Sequence, residues 1–109
     1  MENYILDENG QPVREPNLLR WAEWFDNLRH QRVLAIDKLP NGVTVSTVFL
    51  SVNHRFTGHG PPVLWETMIF GGDHDREMWR YDSREKARAG HAEAVRIASQ
   101  EKPIIGTEC

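Results

Sequence analysis

Glu66 is the residue of this chain whose setting most resembles a working one. It falls in the middle of the largely apolar run Leu64–Phe70, where a carboxylate is costly to cover unless it is paired or hydrogen-bonded. His54 ends the preceding apolar run, so the two can approach if the runs form neighbouring strands. A Glu–His pair is a general base with its orienter. The plainer account gives Glu66 to solvent, to a backbone amide or to an arginine. His91 is the third candidate, beside Gly90 on the inner stripe of a helical segment. It either donates to a backbone carbonyl or an aspartate inside the core, or projects toward Glu66 and ties helix to sheet. Glu66, His54 and His91 are the candidate catalytic set, and the question they pose is whether they meet in space.

A second set has the chemistry of a metal site. His54, His59, His74, Asp73 and Asp75 fall in two loops at strand ends, and imidazole with carboxylate suits zinc, manganese or iron. Their spacing lacks a helical His pair or a pair on one strand face, so an ordinary polar loop set is the simpler account. The glycines of Gly58-His59-Gly60-Pro61-Pro62 and Gly71-Gly72 precede no helix with phosphate-loop or dinucleotide spacing, and no Gly-x-Ser-x-Gly occurs. No cofactor is expected.

The elements that would position these residues are legible in outline. Tyr4–Leu6 and Gln11-Pro12-Val13 flank Asn9-Gly10, a hairpin signal, and Pro12 keeps the ribbon at an edge. Pro16 and Asn17 open a helix over Leu18–Leu28, with Leu18, Trp21, Ala22, Phe25 and Leu28 on its apolar stripe and Trp24 on the flank. Val33–Asp37 and Val43–Val52 read as a hairpin closed by a two-residue Asn41-Gly42 loop. That loop sets Leu34 opposite Phe49, Ile36 opposite Thr47 and Lys38 opposite Val45. One face then carries Leu34, Ile36, Val45 and Phe49, and the other Val33, Ala35, Val48 and Leu50. With both faces apolar, the hairpin is expected to be central and at least partly covered on both sides.

Asn53–Pro62 breaks the pattern as a long shaped connection. Leu64–Phe70 follows as a strand with Trp65, Thr67 and Ile69 opposite in face to Glu66, Met68 and Phe70, and Met78–Tyr81 is a short edge strand. Asp82 as cap and Glu85 three residues on mark a second helix, Ser83–Ser99, whose inner stripe is Ala87, Gly90, His91, Ala94, Val95 and Ala98. Pro103 stops it, and residues 100–109 are expected to form a tail. Strands clustered between two helices predict an α+β domain over 1–109: a twisted antiparallel sheet of three to five strands, with both helices packed against it. Trp21, Phe25, Phe49, Trp65, Ile69 and Val95 are the expected core. Two apolar faces and two helices leave surface for a second copy to cover, so a homodimer is a working expectation.

Composition excludes more than it assigns. A net charge of −3 over 109 residues is not the basic excess that phosphate binding draws on, so nucleic acid is not an expected partner, although Arg29/Arg32 and Arg84/Lys86/Arg88 are basic stripes. The single cysteine, Cys109, allows no intrachain disulfide and no cysteine-based zinc site. Met1–Asp7 lacks the layout of a signal peptide and no run approaches a membrane span. A soluble cytoplasmic protein is the expectation.

The pattern Ser46-Thr47-Val48-Phe49-Leu50, His54, Gly60-Pro61-Pro62, Trp65–Gly72, Arg80-Tyr81 and Gly90-His91 resembles a family of short uncharacterised proteins of bacteriophage and prophage genomes, over about Tyr4 to Val95. The resemblance implies a bacterial host cell and a protein that acts by binding an unidentified host or phage protein, inhibitors of host defence included. It implies a non-enzymatic interaction protein first. A small metal- or ligand-binding enzyme with a His/Glu site between the central strands is the alternative.

Overall fold

The computed structural model describes residues 2–56 and 58–100. In chain order these form β1 (Tyr4–Leu6), β2 (Pro12–Arg14), α1 (Leu18–Leu28), a single 3-10 turn (Arg29–Arg32), β3 (Val33–Lys38), β4 (Thr44–Phe49), β5 (Trp65–Phe70), β6 (Met78–Tyr81) and α2 (Arg84–Ser99). β3 to β6 form a four-stranded antiparallel sheet in sequential order, and β1 and β2 form a separate two-stranded ribbon. The α+β expectation holds. The tail beyond Gln100, with Pro103 and Cys109, lies outside the described residues.

Both Asn-Gly turns close on the same plan, and it is not the expected two-residue loop. In each, the glycine N–H donates to the carbonyl three residues back: Gly10 to Asp7 and Gly42 to Leu39, both at 3.0 Å. The residue that opens the turn then bonds across to the one after the glycine, Asp7 N to Gln11 O at 2.9 Å and Leu39 N to Val43 O at 2.8 Å. Gly10 and Gly42 carry φ of 77° and 91°, as the left-handed third position of a three-residue loop requires. In the second turn Pro40 favours this loop, although Glu8 stands at the same position of the first. The proline fits the second position of a type I turn, but in a two-residue loop it would occupy a ladder position where it has no N–H to donate.

The extra loop residue slips β3 by one relative to the expected register. Ala35 faces Thr47, Ile36 faces Ser46 and Asp37 faces Val45. Side chains alternate along a strand, so the slip exchanges the faces of β3. Ile36 moves to the uncovered side, 54 % exposed, and Asp37 moves to the side that α2 covers. A bulge between Val33 and Ala35 inserts Leu34, which packs against the core cluster containing Phe49.

Only one face of the sheet is covered, which corrects the expectation of cover on both. α2 lies across the face made by Val45, Thr47, Phe49, Trp65, Thr67 and Ile69, all buried. Its inner stripe of Ala87, His91, Ala94 and Ala98 is buried as expected, and the small residues bring the helix close. At Gly90 the approach is closest, since a Cβ there would stand 2.1 Å from the Tyr81 hydroxyl. Two apolar clusters result. Leu6, Trp24, Phe49, Leu64, Trp65 and Ala87 form one, and Val43, Val45, Ile69, Ala94 and Ala98 the other.

α1 joins the first cluster from the end of the sheet. Asn17 caps it as expected, its side chain accepting from Arg20 N at 3.1 Å. Its buried residue is Trp24, edge-on to Phe49 with ring centroids 5.9 Å apart, whereas Leu18 is 63 % exposed. The buried face is therefore rotated from the expected stripe, because α1 abuts the end of β4 instead of lying over a sheet face. Trp21 and Phe25 flank the contact, half-buried, and the Trp21 indole donates to Ser51 O at 3.1 Å. The cap of α2 also differs by one position. Ser83 Oγ accepts from Lys86 N at 3.1 Å, and Asp82 pairs instead with the Lys86 ammonium at 2.9 Å.

Candidate functional site

Between the two apolar clusters runs a chain of polar side chains. Asp37 accepts from His91 Nε2–H at 2.7 Å, His91 Nδ1 meets Thr47 Oγ1 at 2.7 Å, and Thr47 Oγ1 meets Thr67 Oγ1 at 2.5 Å. Three separate rules of local structure assemble it. The hairpin register puts Asp37 on the covered face, the cross-strand pairing of Thr47 with Thr67 joins β4 to β5, and helical spacing carries His91 over them. Each hydroxyl can donate or accept as its neighbour requires, so the buried polar atoms of the chain are all matched.

Carboxylate, imidazole and hydroxyl in that order have the composition of a nucleophilic triad. The geometry removes that use. Thr47 is 0 % exposed and its oxygen is held between His91 and Thr67, so no substrate carbonyl can reach it. What the chain does is fix α2 at one height and rotation over the sheet. Leaving His91, Thr47 or Thr67 unmatched costs about 1–3 kcal/mol, whereas the exposed Asp37 carboxylate can turn to water.

Glu66 lies on the opposite side of the sheet from His91. It accepts from Arg80 Nε at 3.0 Å, its direct partner across β5 and β6. His54 turns back to the Val52 carbonyl at 2.7 Å, with its ring beside Phe56. No hydrogen bond or ion pair joins any two of Glu66, His54 and His91, and the sheet itself separates Glu66 from His91. The structure thus gives Glu66 the arginine partner that the plainer account allowed.

The metal-like set is divided by the length of β5. His54 and His59 belong to the connection before that strand, and Asp73, His74 and Asp75 to the turn after it. Six extended residues put about 20 Å between the two ends. His74 Nδ1 is paired with Glu77, Asp75 accepts from Gly71 N at 2.6 Å, and His59 is exposed. Among the described residues, no three His, Cys, Asp or Glu side chains gather as a metal ion would need. Two members of the basic stripes have partners of their own. Arg32 bonds to Phe49 O at 2.9 Å and stacks over the Phe25 ring, burial lowering its pKa, while Lys86 is held by Asp82.

The surplus sheet surface expected from two apolar faces and two helices is the whole second face of the sheet. It presents Val33, Ile36, Val48, Met68, Phe70 and Met78 around the Glu66–Arg80 pair. Val33, Ile36, Phe70 and Met78 are each exposed, and no helix among the described residues crosses them. Scattered apolar side chains are ordinary on a surface, but a contiguous set on one sheet face is not. Pro40, through the loop length it favours, was the signal that would have placed Ile36 on it.

No family model matches the chain, and no curated protein or solved structure matches it. Among the described residues, no helix is long and apolar enough to cross a membrane.

Proposed function

We propose that this chain is a non-enzymatic protein-interaction protein whose working surface is the uncovered face of the four-stranded sheet. The supporting observation is the exposure of Val33, Ile36, Phe70 and Met78 on one uncovered sheet face, interspersed with Ser46, Thr44, Lys38 and the Glu66–Arg80 pair. Four strands at about 4.8 Å spacing and six residues at about 3.3 Å give roughly 400 Å² of face. A stable interface uses about 800 Å² per partner. The face therefore suits a partner that also reaches the surrounding elements, and a second copy held by this face alone is the weaker reading. The resemblance to phage and prophage proteins supplies the partner class: a host protein, a defence component included, that the chain would inhibit or modulate.

The test is differential capture. The native chain, the variant Ile36→Glu/Phe70→Glu and the control Arg96→Gln are each used as bait in extract of an infected or lysogenic host. Proteins held by the native chain and the control but lost from the face variant are the expected result. Equal capture by all three chains would sink the proposal. Size-exclusion chromatography with light scattering reports separately on a homodimer, and a monomer across micromolar concentrations removes it.

A further inference from the structure

The two Asn-Gly turns share a backbone plan and differ in what holds the asparagine. Asn9 is exposed and bonds through main-chain atoms, Asn9 N to Asp7 Oδ1 at 2.9 Å and Arg84 Nη1 to Asn9 O at 3.4 Å. Its side-chain amide has no hydrogen-bond partner among the described residues. Asn41 is half-buried, and both ends of its amide are engaged. Nδ2 donates to Ala98 O at 2.8 Å, near the end of α2, and Oδ1 accepts from Val43 N at 3.0 Å.

The difference bears on a reaction open to an asparagine that precedes glycine. Glycine has no Cβ to screen its nitrogen, so that nitrogen can reach Cγ of the preceding side chain. The glycine nitrogen gives its proton to water and attacks Cγ. The new N–Cγ bond forms, the Cγ–Nδ2 bond breaks, and Nδ2 takes up a proton and leaves as ammonia. Water then opens the cyclic imide. Opening at Cγ gives aspartate, and opening at the main-chain carbonyl gives isoaspartate, with the chain routed through Cβ. No oxidant or reductant is needed. The main chain does not distinguish the two sites, because Gly10 N–H and Gly42 N–H both donate to the carbonyl three residues back at 3.0 Å. The side chains do distinguish them. Asn41 must release the Ala98 and Val43 hydrogen bonds before its Cγ can turn to Gly42 N, and Asn9 has none to release.

We infer that Asn9 is a site of spontaneous deamidation, and that the hydrogen bonds to Ala98 and Val43 protect Asn41 from the same reaction. The product sets a new carboxylate in the turn that Arg84 contacts, outside the proposed working face. In the test, the folded chain is incubated at mildly alkaline pH, sampled over days and mapped by peptide mass spectrometry. Electron-transfer fragmentation separates aspartate from isoaspartate. A parallel incubation in concentrated urea gives the reference in which neither side chain is held. Conversion of Asn9 to a mixture of both acids is expected in the folded chain, with Asn41 slower by about tenfold or more. Comparable rates at the two sites are expected in urea. Asn9→Gln should remove the acidic species that accumulates on anion exchange. No conversion at Asn9 in the folded chain, or equal conversion at Asn41, overturns the inference. A difference that survives unchanged in urea overturns the protective role of the two hydrogen bonds and assigns the selectivity to sequence alone.

Discussion

Val45, Thr47 and Phe49 of β4 turn to one side of the sheet and Ser46 and Val48 to the other, and the two sides meet different fates. The covered side meets a helix stripe of Ala87, Ala94 and Ala98, small enough to close on it, and its polar groups are matched to one another through His91. The uncovered side is also rich in apolar side chains, yet toward its β6 edge it holds Glu66 and Arg80. A helix laid there would have to take that ion pair out of water, at a cost of several kcal/mol per ion. The difference teaches that apolar content alone does not decide which face is buried. The polar groups decide it: those that match each other can be covered, and those held by a charge pair keep the face wet or reserve it for a partner.

The sharpest way to break this comparison is the same substitution on each side. Phe49→Ala on the covered face removes a fully buried ring and should cost about 3–5 kcal/mol in urea denaturation. Phe70→Ala, 47 % exposed on the other, should cost under about 1 kcal/mol. Equal losses would mean that the second face is covered in solution. The polar groups give a smaller contrast. His91→Ala leaves Thr47 and Asp37 without their partner and should cost about 2–3 kcal/mol, whereas Glu66→Gln should cost under about 1 kcal/mol. A reversed order would show that the uncovered pair, not the buried chain, ties the sheet together.

The smallest effect lies at the start of α2. The hydrogen bond from Lys86, and then its charge, hold the Asp82 carboxyl below its usual pKa. A carboxylate lowered in the folded state stabilises the fold above its unfolded pKa, and that contribution is lost as pH falls through the lowered value. Asp82→Asn should therefore lower the thermal midpoint slightly near pH 7, and the gap should close in acid below about pH 3.9. A gap that persists at low pH would assign the effect to something other than the carboxylate charge.

Much of the fold was legible because strand and helix periods are strong signals here. The bounds of β6 are the expected ones, those of β5 and α2 differ by one residue, and the alternation of Trp65, Thr67 and Ile69 against Glu66, Met68 and Phe70 holds. The inner stripe of α2 was equally readable. What failed was a count of one residue at Pro40, and it carried the error into β3 and into the partner of His91. The orientation of α1 was not readable either, since Trp24 is drawn inward by Phe49 across the fold and not by its own helix period. Of the candidate site residues, His91 was correctly placed on the helix stripe. Its contact with Asp37 depended on the register that Pro40 altered.

The Leu39–Val43 turn has a consequence for how such a chain can vary through evolution. Strand faces follow parity, so a one-residue slip at the turn would bring Ile36 where Asp37 now meets His91, while a two-residue slip would keep the faces but bring Ala35 there, without a carboxylate. Any slip of β3 at Pro40–Gly42 therefore costs His91 its acceptor, a constraint that the long connection from Asn53 to Pro62 does not share.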